Sequence, residues 1–168
     1  MVVAEAQAPP ELLSSVMDYL AWDHDRLDAL CQQAFEARGR GALEEAERCF
    51  REFARGLRRH IGLEEELLFP EFEQLTGMTP DAGPTAVMRH EHRQIESFLL
   101  TLERVIGVPG AEAEQAEQSL ARVLVDHNAK EEQILYPTTD RLLSGSERRD
   151  LVERLCAYGR QHPAQLRP

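Results

Sequence analysis

The chain is 168 residues long, 42% hydrophobic, 29% charged and only 6% aromatic, with a formal net charge of −11. That is the length of one domain with enough apolar residues for a core, which excludes a disordered chain, while the acidity argues against nucleic acid or anionic membranes as partners. No apolar run approaches the ~20 residues a membrane span needs, and the opening MVVAEAQAPP lacks the basic and apolar regions of a secretory signal.

Helical periodicity starts at about Glu11 and runs to Arg38, where Gly39-Arg40-Gly41 stops it. A second helix is expected from Ala42 to about Leu75, ending in the turn-rich TGMTPDAGP. A third runs from about Thr85 to Ile106 and is closed by Gly107-Val108-Pro109-Gly110. A fourth spans about Glu112 to Leu143, interrupted or bent at Pro137. A short fifth begins near Ser144, whose spacing to Glu147 is that of a capping box, and reaches about Tyr158. No segment alternates as a strand does. The fold class expected is all-α, an up-down-up-down four-helix bundle with an additional short C-terminal helix. Residues 11–160 would form this domain, between flexible ends at 1–10 and 161–168.

Two stretches nearly repeat. HIGLEEELLFP, residues 60–70, returns as HNAKEEQILYP, residues 127–137. DHDRLDAL, residues 23–30, is answered by EHRQIESF, residues 91–98. The chain therefore reads as two helical hairpins, each with a histidine on its first helix and His-x-x-x-Glu on its second.

Placing these residues on helix faces sharpens the pattern. His24 shares its face with Met17, Leu20, Leu27, Cys31 and Phe35; His60 with Cys49, Phe53, Gly56, Leu63, Glu64 and Leu67. His92 lies with Met88, Ile95, Leu99 and Ile106; His127 with Ala116, Leu120, Val123, Glu131 and Ile134. Glu64 and Glu131 lie about 40° from their histidines, whereas Glu65 and Glu132 lie about 140° away and are expected to face solvent. His90 falls on the polar side, about 160° from His92.

A lone histidine on an apolar face is usually a satisfied core residue. A buried glutamate is harder to accommodate, because its charge needs a cation or several donors. Six such groups pointing inward together make a metal site the economical reading, with a metal-free interaction bundle as the alternative. Imidazole and carboxylate without thiolate suit iron, manganese or zinc. Four histidines and two glutamates are too many for one tetrahedral zinc and fit two metals bridged by both carboxylates. Each metal then has only four protein donors, leaving a position for solvent or a small molecule.

The repeated H-x-x-x-E-E with its L-F-P or L-Y-P ending, together with the D-H and E-H segments, resembles the hemerythrin-like (HHE cation-binding) family. The resemblance covers about residues 12–143. It implies a non-haem di-iron centre with Glu64 and Glu131 as bridges and His24, His60, His92 and His127 as terminal ligands. Oxygen-carrying members use an H-x-x-x-H pair on the third helix, but here Met88 stands four before His92. They also use H-x-x-x-x-D on the last helix, where this chain has His127-x-x-x-Glu131. The pattern is closer to the bacterial four-histidine, two-glutamate branch, linked to iron-centre repair, nitric-oxide or oxygen response, and iron sensing. The function implied is binding, sensing or reacting with O2, NO or peroxide; iron storage, donation or sensing without turnover is the alternative. Whether a protein partner takes part is left open.

The remaining residues read as structure. Cys31, Cys49 and Cys156 are odd in number and form no C-x-x-C pair, which argues against a disulfide framework and fits a cytoplasmic setting. Cys31 and Cys49 read as core fillers. Trp22 marks either a partner surface or a contact with the fifth helix. Gly56 either leaves room for a ligand or lets two helices approach closely. Pro70 and Pro137 are expected to bend or end their helices.

Overall fold

The computed structural model describes residues 14–161. Of the flexible ends expected at residues 1–10 and 161–168, all but Gln161 lie outside the described residues, and Gln161 closes the last helix.

The first helix, α1 (Val16–Gly39), is capped by Ser15, whose hydroxyl accepts from the Asp18 backbone N–H. Gly41, at φ 76°, turns the chain out of it. Next come α2 (Leu43–Leu63), a π-helical turn over Glu64–Leu68, and α3 (Phe69–Thr76), which follow one another without a break. Gly77, at φ 73°, ends this run. Helix α4 (Pro84–Val105) starts with proline in its first turn, where no N–H is needed. Helix α5 (Ala111–Lys130) passes through a second π-helical turn, Glu131–Leu135, into α6 (Tyr136–Leu142). The last helix, α7 (Gly145–Gln161), begins with the capping box expected: the Ser144 N–H donates to Glu147, and the Glu147 N–H donates to the Ser144 hydroxyl.

Packing closes a ring. Helix α1 lies against α2, α2 against α4, α4 against α5, and α6 returns to α1. This is the expected four-helix bundle, with α7 laid across α1 and α2. There are no strands among the described residues.

The two prolines neither end nor interrupt their helices. Each π-helical turn closes with a bond from the residue just before the proline, Phe69 to the Glu64 carbonyl and Tyr136 to the Glu131 carbonyl. Proline lacks a donor and collides with the carbonyl four residues back. Widening the turn immediately ahead of it relieves both problems.

The extra residue in each π-turn also moves the inward face on by one. Leu68 and Leu135 are buried, while Leu67 is only half-buried and Ile134 is exposed, contrary to a wheel of constant period. The core is split into two apolar clusters. One contains Leu27, Phe50, Phe53, Ile95, Leu99 and Leu120. The other contains Tyr19, Leu20, Leu63, Phe69, Met88 and Tyr136, joined by Leu151 and Leu155 of α7. Along every bundle helix the inward histidine falls between residues of the two clusters, so the polar layer is sealed above and below by hydrocarbon.

The minor ambiguities resolve here. A Cβ on Gly56 would meet the Leu27 side chain at 2.7 Å, so this glycine serves the close approach of α1 to α2. Trp22 packs on the second cluster beside Tyr19, whose hydroxyl reaches the Leu155 carbonyl of α7. Cys31 is buried and Cys49 half-buried at the edge of the first cluster.

Candidate metal centre

His24, His60, Glu64, His92, His127 and Glu131 are all buried, and the two glutamates are fully so. The imidazoles stand in two pairs. The rings of His24 and His60 are 4.6 Å apart, and those of His92 and His127 are 4.9 Å apart. Each pair joins a helix of one hairpin to its partner helix, as the near-repeat implies.

The glutamates lie between the pairs. Glu131 directs Oε2 to His24 Nε2 at 3.3 Å and Oε1 to His127 Nε2 at 3.1 Å, so one carboxylate faces both pairs. Glu64 directs Oε2 to His92 Nε2 at 3.3 Å and, more distantly, to His60 Nε2 at 3.7 Å. Two sets of side chains could each hold an ion. Glu64, His92, His127 and Glu131 form one; His24, His60 and Glu131 form the other. Among the described residues, Glu64 Oε2, Glu131 Oε1 and His92 Nε2 are buried and make no well-aligned hydrogen bond; His92 Nε2 faces Glu64 Oε2 at 3.3 Å, and Glu131 Oε1 faces His127 Nε2 at 3.1 Å. Buried polar atoms are rarely left so, and these three belong to the same set of four residues. A cation held among these oxygens and imidazole nitrogens would satisfy all three.

The family model of the hemerythrin HHE cation-binding domain matches residues 15–139. The chain belongs to that family. No curated protein and no solved structure matches it. The match runs from the cap of α1 into α6 and takes in all six inward groups. This is the hemerythrin-like metal-binding module, with a histidine and glutamate cluster at its centre. Met88, four residues before His92, is buried in the second apolar cluster.

Outside the six groups lies a second set, and here the hemerythrin-like bundle departs from the sequence expectation. Glu65 and Glu132 do not simply face solvent. Glu65 accepts from His92 Nδ1 at 2.8 Å, and Glu132 from His24 Nδ1 at 2.7 Å. A wheel measures position about one axis only. A group about 140° from the core lies over the groove beside the next helix, within reach of that helix's outer imidazole nitrogen.

Asp23 and Glu91 complete the arrangement. Asp23, adjacent to His24, accepts instead from His60 Nδ1 at 3.0 Å. Glu91, adjacent to His92, accepts from His127 Nδ1 at 3.0 Å. Each bundle helix thus hands a carboxylate to the histidine of the next, from α1 to α2, to α4, to α5 and back to α1. An ionised carboxylate can only accept, so every Nδ1 carries the proton and every Nε2 faces the centre. The D-H, E-H and E-E doublets were the signal for this ring. Their second members could be assigned partners only once helix neighbours were known.

The four carboxylates are not alike. Asp23 is itself buried and also accepts from Arg26 at 2.7 Å and Arg59 at 3.4 Å. Burial pulls its carboxyl up, but His60 and Arg26 outweigh that and hold it well below the usual carboxylate range. Glu91 also pairs with Lys130. Glu65 and Glu132 are about a third exposed, with side-chain accessibilities of 39% and 34%.

Without a metal, the imidazoles and carboxylates compensate one another. Burial alone would lower His24, but Glu131, Glu132 and Glu64 overcome it and raise the imidazole to about 9. Burial opposes and Glu64 with Glu65 raise His92 in the same way, also to about 9. Burial would raise Glu131, but His127 and His24 hold it well below its ordinary range.

Sequence reasoning missed Tyr136. This fully buried phenol donates to Glu64 Oε1 at 2.6 Å, and its oxygen lies 2.9 Å from Glu131 Oε2. Its oxygen is also 3.3 Å from His24 Nε2 and 3.5 Å from His60 Nε2. Burial, reinforced by Glu131 and Glu64, pushes its ionisation well above the usual phenol range. Its counterpart in the first repeat, Phe69, stacks on His92 with ring centroids 5.6 Å apart and planes 11° apart. A constant-period wheel hides Tyr136 because the π-turn is what rotates it inward. His90 is exposed, as its polar face predicted, and its hydrogen-bond partner among the described residues is Gln94.

Proposed function

We propose that this chain is a non-haem di-iron protein of the four-histidine, two-glutamate kind that binds, senses or reacts with a small molecule such as O2, NO or peroxide. His24 and His60 would hold one iron, and His92 and His127 the other, with Glu131 and Glu64 shared between them. Manganese or zinc would suit the same donors less selectively. The observation that carries the reading is the convergence of two fully buried carboxylates and four imidazole Nε2 atoms in one layer between the apolar clusters.

When bound, two irons would supply one-electron redox chemistry and Lewis acidity toward the small molecule. The chain's own residues do the rest. The carboxylate ring fixes each imidazole's tautomer and angle and raises its basicity as a ligand. The two apolar clusters keep bulk water from the layer, which strengthens every charge interaction inside it. No helix among the described residues is long and apolar enough to cross a membrane.

Metal analysis by mass spectrometry after iron-replete, anaerobic preparation tests the assignment. Two irons per chain are expected, and Glu64→Ala with Glu131→Ala should remove them. One metal or none in the unaltered protein overturns the two-metal reading. An optical spectrum of the reduced protein before and after oxygen then separates reaction from storage. Unreactive iron that passes to an acceptor would favour storage or donation.

A further inference from the structure

The two halves of the centre are unequally supplied with donors. The His92 and His127 half includes both glutamates, whereas the His24 and His60 half includes only Glu131. Glu64 reaches this half more distantly, its Oε2 standing 3.7 Å from His60 Nε2. What does stand there is the Tyr136 hydroxyl. It is the fully buried polar group whose oxygen approaches His24 Nε2, His60 Nε2 and Glu131 Oε2 together, at 3.3, 3.5 and 2.9 Å.

Those distances have a specific meaning. Metal–ligand bonds of about 2.1 Å at right angles place neighbouring donor atoms about 3.0 Å apart. An oxygen sitting on the ion's own position would be much closer to all three groups. A phenol serving only as a hydrogen-bond donor to the glutamates need not approach either imidazole. The hydroxyl donates to Glu64 Oε1 at 2.6 Å, and its spacing to His24, His60 and Glu131 matches that of a donor sharing one ion with them.

We propose that Tyr136 is a further metal ligand, supplying its phenol oxygen to the ion held by His24, His60 and Glu131. This rests on the di-metal reading above. Coordination releases the phenol proton to solvent and transfers no electrons. The ion's positive charge takes over from that proton in compensating Glu64 and Glu131. The two repeats differ at this point, with Tyr136 in one and Phe69 in the other, each five residues beyond its glutamate. The first repeat therefore has no hydroxyl to offer. Tyr136 gives the half with one glutamate a second oxygen group, while the other half faces the Phe69 ring stacked on His92.

The test uses the full chain loaded with iron and oxidised to the ferric state. A phenolate bound to ferric iron gives a charge-transfer absorption in the visible and resonance-enhanced ring modes in the Raman spectrum. Both are expected in the unaltered protein and both should vanish in Tyr136→Phe, which preserves the ring's packing. Two irons per chain without phenolate bands would overturn the proposal, as would bands that persist unchanged in Y136F. The unaltered protein's Raman spectrum decides the matter even if Y136F loses iron. Failure to bind two irons at all would instead overturn the di-metal reading beneath it.

Discussion

Replacing Glu131 with glutamine keeps the side chain's shape and removes its charge. That carboxylate is fully buried and lies 3.3 Å from His24 Nε2, 3.1 Å from His127 Nε2 and 2.9 Å from the Tyr136 hydroxyl. Breaking a buried ion pair from one side costs about 3–5 kcal/mol, because the remaining charge stays uncompensated. Both imidazoles can shed a proton in response, which sets the expected cost at the lower end, about 3 kcal/mol. In a chain of this size each kcal/mol moves the melting temperature by about 2–4 °C. Metal-free E131Q should therefore melt roughly 6–12 °C below the unaltered protein. Metal acts in the opposite direction. At about a hundredfold excess over its dissociation constant, a ligand of the native state adds about 2.7 kcal/mol. The unaltered protein should thus gain roughly 5–11 °C on anaerobic iron addition, and E131Q little of it at the same iron concentration. Scanning calorimetry of chelated and iron-loaded samples measures both effects. An equal iron-induced rise in the two proteins would refute Glu131 as a ligand. A metal-free E131Q as stable as its parent would refute the buried-charge argument.

The metal-free protein should also lose stability in alkali. His24 and His92 are raised from 6.5 to about 9, so their contribution is complete below about 6.5 and lost as pH rises through about 9. The loss is on the order of 3 kcal/mol per imidazole at most, counted once because His24 and Glu131 share one interaction. Iron-loaded protein, holding metal where the protons were, should change little over the same window. Urea titrations across it would show the difference, and a flat metal-free profile contradicts the charge pairing. In the carboxylate ring, Asp23→Asn should weaken iron binding by roughly 10–100-fold in competition with a chelator. Glu65→Gln should weaken it less, since Glu65 is more exposed than Asp23. Unchanged affinity in both variants would reduce the ring to ornament.

Much of the fold was legible because helical burial is periodic. Leu20, His24 and Leu27 of α1, or Leu120 and His127 of α5, lie at spacings that one face of a helix requires, whatever surrounds it. The same arithmetic brought Glu64 and Glu131 inward and left His90 outside. It failed first at the π-turns. There the missing donors of Pro70 and Pro137 widen the helix, exposing Ile134 and burying Leu135 in its place.

By itself, then, the sequence determined that six polar groups converge in an all-helical bundle, because their faces follow from bonds within each helix. Which group holds which was decided by the tertiary structure. Asp23 stands beside His24 in the chain yet serves His60, and Glu91 stands beside His92 yet serves His127. Tyr136 reaches the centre only after its helix has been rewound. Hydrogen bonds between helices depend on which axes lie next to each other and at what height. Those relations arise when α1, α2, α4 and α5 pack into a ring, and no single helix contains them.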